Sequence, residues 1–198
     1  MQSGIWVYDI ETLRNCFTYT ALNIETEEVF QAVIWKDTNE IFELVEHLTS
    51  CRGLIGFNNI SFDYPVIHHI LENEDDWKYS YFHGDELTEK IYTKAQEVIG
   101  DEWSGVKDKY VKVPQLDLFR IWHYNNKARM TSLKKLEIAM RYENVQDMPY
   151  SHDSEIETRE QVNEILEYNL DDVKATFDFY KKTLKKLELR RGLYQKYK

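Results

Sequence analysis

Residues 7–12 read VYDIET, the end of an apolar run, GIWVY, that passes straight into Asp9 with Glu11 two places on. A strand entering a core ordinarily closes on a turn residue rather than on two acids. In a strand, side chains alternate between faces, so Asp9 and Glu11 point one way and Tyr8 and Ile10 the other. Two carboxylates on one face repel, the more so at a desolvated strand end, and a divalent cation is the usual compensation. The triplet also has a plain reading. With 14 Asp and 21 Glu in the chain, an Asp-x-Glu arises by chance about once or twice. A second one, Asp153-Ser154-Glu155, stands in a polar stretch that reads as a loop. Asp9 and Glu11 therefore need partners elsewhere in the sequence.

The length of 198 residues suits one well-buried core and scarcely two, so residues 1–198 are read as a single domain. Hydrophobics at 42% and aromatics at 14% indicate a folded chain. Only Cys16 and Cys51 occur, with no Cys/His cluster of zinc spacing, so neither a disulfide framework nor a zinc ribbon is in view. No apolar run approaches membrane-spanning length, and the N-terminus lacks a charged-then-apolar leader. A soluble protein in a reducing, cytoplasmic setting, with no membrane partner, is expected.

The formal net charge of −10 argues at first against a nucleic-acid partner. The charge is unevenly placed, however. Of 25 Lys/Arg and 35 Asp/Glu, eight and one fall in residues 181–198, KKTLKKLELRRGLYQKYK, leaving 17 and 34 in residues 1–180. That end is thus +7 and the remainder −17. Bound metal could neutralise part of the negative charge. The basic helix 181–198 is either a handle for a phosphate backbone or a solvated helix end, where cations are favoured anyway.

Periodicity gives strands over 4–9, 16–23 and 28–34, the last two joined by the acidic turn IETE. Thr38 is expected to cap a helix running through Ser50, with Ile41, Leu44, Val45 and Leu48 on one face. A short buried strand over 53–57 follows, then a turn, NNIS, and a helix from Asp63. Residues 72–112 are acidic and aromatic and read as an insertion. Their one amphipathic segment, Asp85 to Ile99, carries Leu87, Ile91, Ala95 and Val98 and stops at Gly100. Residues 111–122 return to strand and then helix, and TSLKKLEIAM is a helix with a Thr or Ser cap. Thr158-Arg159-Glu160-Gln161 is a capping box that opens a helix expected to reach about residue 190 with a bend or break. The order indicates an α/β fold, a mixed sheet flanked by helices.

Two stretches offer partners for Asp9 and Glu11. In GFNNISFDYPVI, residues 56–67, Asp63 opens a helix, which the helix dipole favours in any case; Asn58 and Asn59 precede it, with Phe62 just before and Pro65 just after. In YNLDDVKATFDFY, residues 168–180, Tyr168 and Asp172 are four apart and share a helical face. Leu170, Val173 and Phe177 form an apolar stripe beside Asp172, so Asp172 is expected to face inward and Asp171 solvent.

In this order, YDIET, GFNNISFDYPVI and YNLDDVKATFDFY resemble the three motifs of DEDD-superfamily 3′→5′ exonucleases: Asp-x-Glu, Asn-x(2–3)-(Phe/Tyr)-Asp and Tyr-x3-Asp. The chain looks most like the proofreading exonuclease domain of family B DNA polymerases, phage enzymes included, over residues 4 to 185 or so. Members with histidine in the third motif carry it five residues before the last Asp, where this chain has Glu167, so Tyr168 fits the tyrosine subclass. The resemblance implies a ribonuclease H-like fold. It also implies a site of Asp9, Glu11, Asp63 and Asp172 holding two Mg²⁺ or Mn²⁺ ions, which in two-metal sites lie roughly 3.5–4 Å apart. Asp9 would bridge, Glu11 and Asp172 would serve the nucleophile-side metal, and Asp63 the other. Tyr168 would hold the attacking water. Thr12, Leu13, Asn58 or Asn59, and Phe62 would hold the last nucleotides of a single-stranded DNA 3′ end.

The resemblance departs in extent: family B polymerases continue for several hundred residues past this domain. A stand-alone nuclease and one part of a split polymerase, with a polymerase or replication partner, both fit. The rival functions are an exoribonuclease or oligonucleotide-trimming enzyme, since a 2′-OH contact cannot be read from sequence, and a silent exonuclease fold used for binding, against which the intact acids weigh. His68, His69 and His152 read as packing, surface and loop residues. The aromatics of 77–82, Trp122 and Tyr124 are mostly core with some capacity to stack on bases.

Overall fold

The computed structural model describes residues 3–36, 38–79, 83–101, 105–123 and 131–197. Among these, six strands form one mixed sheet in the order β4-β3-β2-β1-β5-β6. β1 (Ile5–Leu13), β2 (Cys16–Asn23), β3 (Val29–Trp35) and the short β4 (Thr38–Asn39) are antiparallel neighbours, whereas β5 (Gly53–Gly56) runs parallel to β1 and β6 (Gln115–Asp117) parallel to β5. Helices flank it: α1 (Ile41–Ser50), α2 (Asp63–Glu72), α3 (Glu74–Tyr79), α4 (Gly84–Gly100), α5 (Leu118–His123), α6 (Leu133–Met140) and α7 (Arg159–Tyr197). This is the expected α/β architecture, compatible with a ribonuclease H-like fold.

The two faces of the sheet are packed differently. The even residues of β1, Trp6, Tyr8 and Ile10, join Tyr19, Ile34, Leu44, Leu48, Ile67 and Ile70 in the largest core, under α1, α2 and α4. Leu87, Ile91, Ala95 and Val98 of α4 belong to that same core, so the stretch read as an insertion covers this sheet face. The odd residues face α7. There Val7 and Leu22 meet Val173 and Phe177, and Leu13, Val33 and Trp35 meet Val162 and Ile165. Asp9 and Glu11 fall between these two apolar clusters.

β1 continues through its acids to Leu13, four residues past the expected end, because β2 pairs with it throughout, Asp9 with Thr20 and Glu11 with Thr18. Thr38 does not cap α1. The chain turns at Lys36 (φ 48°) and Thr38 pairs with Trp35, leaving Asn39 Oδ1 to accept the Ile41 amide at 3.2 Å. α7 is one 39-residue helix without the expected break. Its box is closed from both sides: Gln161 N donates to Thr158 Oγ1 at 3.3 Å, and Thr158 N donates to Gln161 Oε1 at 3.0 Å. Ser132 caps α6 through Lys135 N.

Candidate metal centre

β1 is where the strand order reverses: β2, β3 and β4 run outward on one side of it, β5 and β6 on the other. In open α/β sheets, ligand sites form beside such a switch, at the C-terminal ends of the strands. β5 pairs with β1 only from Ile5 to Val7 and ends at Gly56, which pairs with Asp117 of β6 instead. The edge of β1 beyond Val7 is therefore free on that side, and the turn after Gly56 brings the start of α2 against it. Asp63 accepts the Ile10 amide there. Gly56 makes the turn possible: a Cβ on it would stand 2.6 Å from the Asn59 Cβ.

α7 crosses the same region on the other side. Oxygens of Asp9, Glu11 and Asp172 all lie within 4.8 Å of one another. Burial first, then the carboxylates of Asp63, Glu11 and Asp172, hold Asp9 well above the usual carboxylate range. Burial, then Asp172 and Asp63, raise Glu11 likewise. Burial pushes Asp63 up to about 7. Burial, then Glu137, push Asp172 up to about 7, with the Tyr168 hydroxyl opposing through a hydrogen bond. The strongest influences on Asp9 and Glu11 are desolvation and other carboxylates, with no Lys or Arg among them. A hard, oxygen-only donor set that is charged, converging and uncompensated fits Mg²⁺ or Mn²⁺.

Three supporting residues gave no sequence signal. Asn169, fully buried, donates through Nδ2 to Asp9 Oδ2 at 2.6 Å, while its own Oδ1 has no partner among the described residues. Asp117 ends β6 and accepts the amides of Asn58 at 3.0 Å and Phe119 at 2.9 Å, fastening the turn before α2 to the start of α5. Glu137 of α6, 3% exposed, faces Asp172, and Lys134 on the same helix offsets both acids. An Asn inside a helix, an Asp after a strand and a Glu on an amphipathic helix are each ordinary, and only the tertiary arrangement singles them out.

The expected nucleotide contacts divide. Asn58 is exposed, at φ 62°. Asn59 is fully buried, giving its Nδ2 to Gln115 Oε1 at 2.8 Å, an oxygen also reached by the Tyr8 hydroxyl at 3.1 Å. Phe62 is half-buried against the main core. Thr12 is 5% and Leu13 1% exposed, and the Leu13 side chain is committed to the core beneath α7. Asp171 does not simply face solvent: it is half-buried and accepts from Asn144 and Gln146. Trp77 is buried, Trp122 is partly exposed and donates to Thr183 Oγ1 at 2.9 Å, and Ser80, Tyr81, Phe82 and Tyr124 lie outside the described residues. His68 is bonded to the Tyr110 carbonyl at 2.8 Å. No helix among the described residues is long and apolar enough to cross a membrane. Compared with family models, with curated proteins and with solved structures, the chain matches none.

Proposed function

We propose that the chain is a metal-dependent 3′→5′ exonuclease of the DEDD superfamily, tyrosine subclass, acting on single-stranded or frayed DNA 3′ ends in a reducing, cytoplasmic setting. The observation that carries this is the convergence of Asp9, Glu11 and Asp172 oxygens within 4.8 Å, with Asp63 electrostatically joined to them and the Tyr168 hydroxyl on Asp172. Asp9, Glu11 and Asp172 would hold one divalent cation, and Asp63 with Asp9 a second. When bound, such ions supply Lewis acidity at the scissile phosphate and a water acidic enough to ionise near neutral pH.

The remaining work falls to the chain itself. Asn169 orients the Asp9 carboxylate. Tyr168, its phenol kept protonated by burial and the surrounding acids, gives its proton to Asp172 and leaves its oxygen to accept from and orient an attacking water. The free edge of β1 leaves the Thr12 backbone on the same open side as the Ile10 amide, since residues two apart in a strand present alike. That edge, Asn58 and Phe62 would receive the terminal nucleotides, with Leu13 taking part through its backbone. Asn58, which is exposed, is preferred to Asn59, which is fully buried with its Nδ2 on Gln115.

The test is a 5′-labelled single-stranded DNA oligonucleotide with Mg²⁺ or Mn²⁺, beside matched RNA and an EDTA control. A metal-dependent ladder shortening from the 3′ end is expected for DNA. Asp172→Asn should cut the rate about a thousandfold or more, and Tyr168→Phe about tenfold to a hundredfold, water positioning being one contribution among several. RNA shortened in preference to DNA would make it an exoribonuclease. No cleavage of either by folded, metal-loaded protein would leave a binding module, or one part of a split polymerase that needs its partner.

A further inference from the structure

α7 keeps one face in register from the candidate site to its end. Residues three and four apart on a helix share a face. Asp171, Lys174, Asp178, Lys182 and Lys185 follow that spacing, and after Leu189 and Gly192 so does Lys196. The two acids of this face are occupied: Asp171 accepts from Asn144 and Gln146, and Asp178 pairs with Lys181 at 2.8 Å. Lys174, Lys182 and Lys185 are exposed and enter no ion pair among the described residues. Across from them, the left-handed turn that ends α6 (Arg141, φ 57°) sets an exposed Arg141 over a groove of about 430 Å³. Arg141, Lys174 and Lys182 line this groove together with three acids: Asp178, Glu143 and Asp171, the neighbour of Asp172.

Residues 1–180 are acidic, with 17 Lys/Arg, Arg141 and Lys174 among them, against 34 Asp/Glu. A polyanion drawn toward the four clustered acids meets repulsion over most of the surface. Among the described residues, counter-charge is concentrated on the distal half of α7, and the lysine face leads back from it to the acids.

We infer that the lysine face of α7, with Arg141 across the groove, is a track for the phosphodiester backbone of a nucleic-acid strand leading to the acid cluster. It deepens the nuclease proposal and rests on it for where the strand ends, not for the binding itself. Lys174, Lys182 and Arg141 hold the backbone nearest the site, and Lys185 and Lys196 hold it further out. From Asp172 to Lys196 the helix rises about 36 Å, a length that a 20-nucleotide probe spans.

The experiment measures anisotropy of a fluorescein-labelled 20-nucleotide single strand, in EDTA so that nothing is cleaved, across a salt series. It compares wild type, the triple variant Lys174→Gln/Lys182→Gln/Lys185→Gln, and Arg52→Gln, a control beside Gly4 at the other end of β1. Circular dichroism checks that all are folded. Wild type and control should bind alike. The triple variant should bind at least tenfold more weakly in low salt, with a log–log salt slope shallower by about 2, at ~0.7 per lost phosphate contact. Equal affinity and slope in the triple variant would overturn the inference, as would a wild type that does not bind. So would polyglutamate competing as well as the oligonucleotide per charge, which would make the face a seat for an acidic protein. Loss of self-association in the triple variant, with oligonucleotide binding intact, would give the face to a second copy. Lysine-dependent binding without shortening when Mg²⁺ or Mn²⁺ is added would sink the nuclease proposal and keep the track; shortening with unchanged binding would do the reverse.

Discussion

Among the described residues, Asp9 receives one side-chain donor, the Asn169 carboxamide at 2.6 Å, and Asn169 is itself fully buried with its oxygen unpartnered. A carboxylate among three others turns or protonates unless something fixes it, and a partner that fixes a metal-binding group is worth about 10–100-fold in metal affinity or activity. Asn169→Leu keeps the number and branching of the side-chain heavy atoms, removes the donor and removes an unsatisfied buried acceptor. The fold should therefore persist while Mn²⁺ affinity, read by titration calorimetry, falls about 10–100-fold. An unchanged affinity would mean that Asp9 is held by strand geometry alone. Asn169→Asp should be worse than Leu, because it adds a fifth charge to a cluster already held above its normal titration range.

At the scale of elements, α7 is the piece on which the site depends. Its N-terminal half packs across β1–β3 and presents Tyr168, Asn169 and Asp172, and its distal half is exposed and basic. The reciprocal box at Thr158 and Gln161 sets where this helix begins. Thr158→Ala removes one of its two hydrogen bonds and should lower stability by about 1 kcal/mol in urea unfolding, with the acid cluster unaltered because it lies more than two turns on. This start was legible because a capping box is a local code. The β1–β2–β3 meander was legible too, from alternation and an acidic turn, and the convergence of Asp9, Glu11 and Asp172 follows the set that the three-motif resemblance implies. Thr38 was misread because its local helix-capping chemistry lost to pairing with Trp35, which depends on a turn at Lys36 that the sequence does not mark. The end of β1 was misread because an acid at a strand position looks like a terminus unless α7 and α2 are known to close over it. Glu137 and Asp117 could not be found at all, since what they do is set by residues tens of positions away.

Over the whole molecule, the cluster makes stability depend on pH in a direction opposite to that of a salt-bridged acid. Asp63 and Asp172 titrate near 7 in the folded protein, against 3.8 for the ordinary group, and Asp9 and Glu11 are raised as well. Between those values the folded state binds more protons than the unfolded one, so stability falls as pH rises and levels off once the folded groups have ionised. His47 works the other way. Buried beside Phe30, it is lowered from 6.5 to about 4, so its contribution is lost as pH falls through that interval. Above pH 6.5 the histidine is mostly neutral in both states and the carboxylates dominate, joined toward pH 8 by Cys16 and Cys51, whose thiols burial pushes up in the same direction. In EDTA, the melting temperature should therefore drop steadily from pH 6.5 to about 8. A cation that binds only the folded protein reverses this by mass action, by about 2.7 kcal/mol at a hundred times its dissociation constant. For a chain of this length that is a rise of roughly 5–10 °C. Because the cation competes with the protons, the rise in Mg²⁺ or Mn²⁺ should be larger at pH 8 than at pH 6.5. Thermal melts with EDTA and with Mn²⁺ at the two pH values test this directly. A melting temperature independent of Mn²⁺ at pH 8 would show that the four acids hold no metal, and a flat profile in EDTA would show that solvent relieves their repulsion.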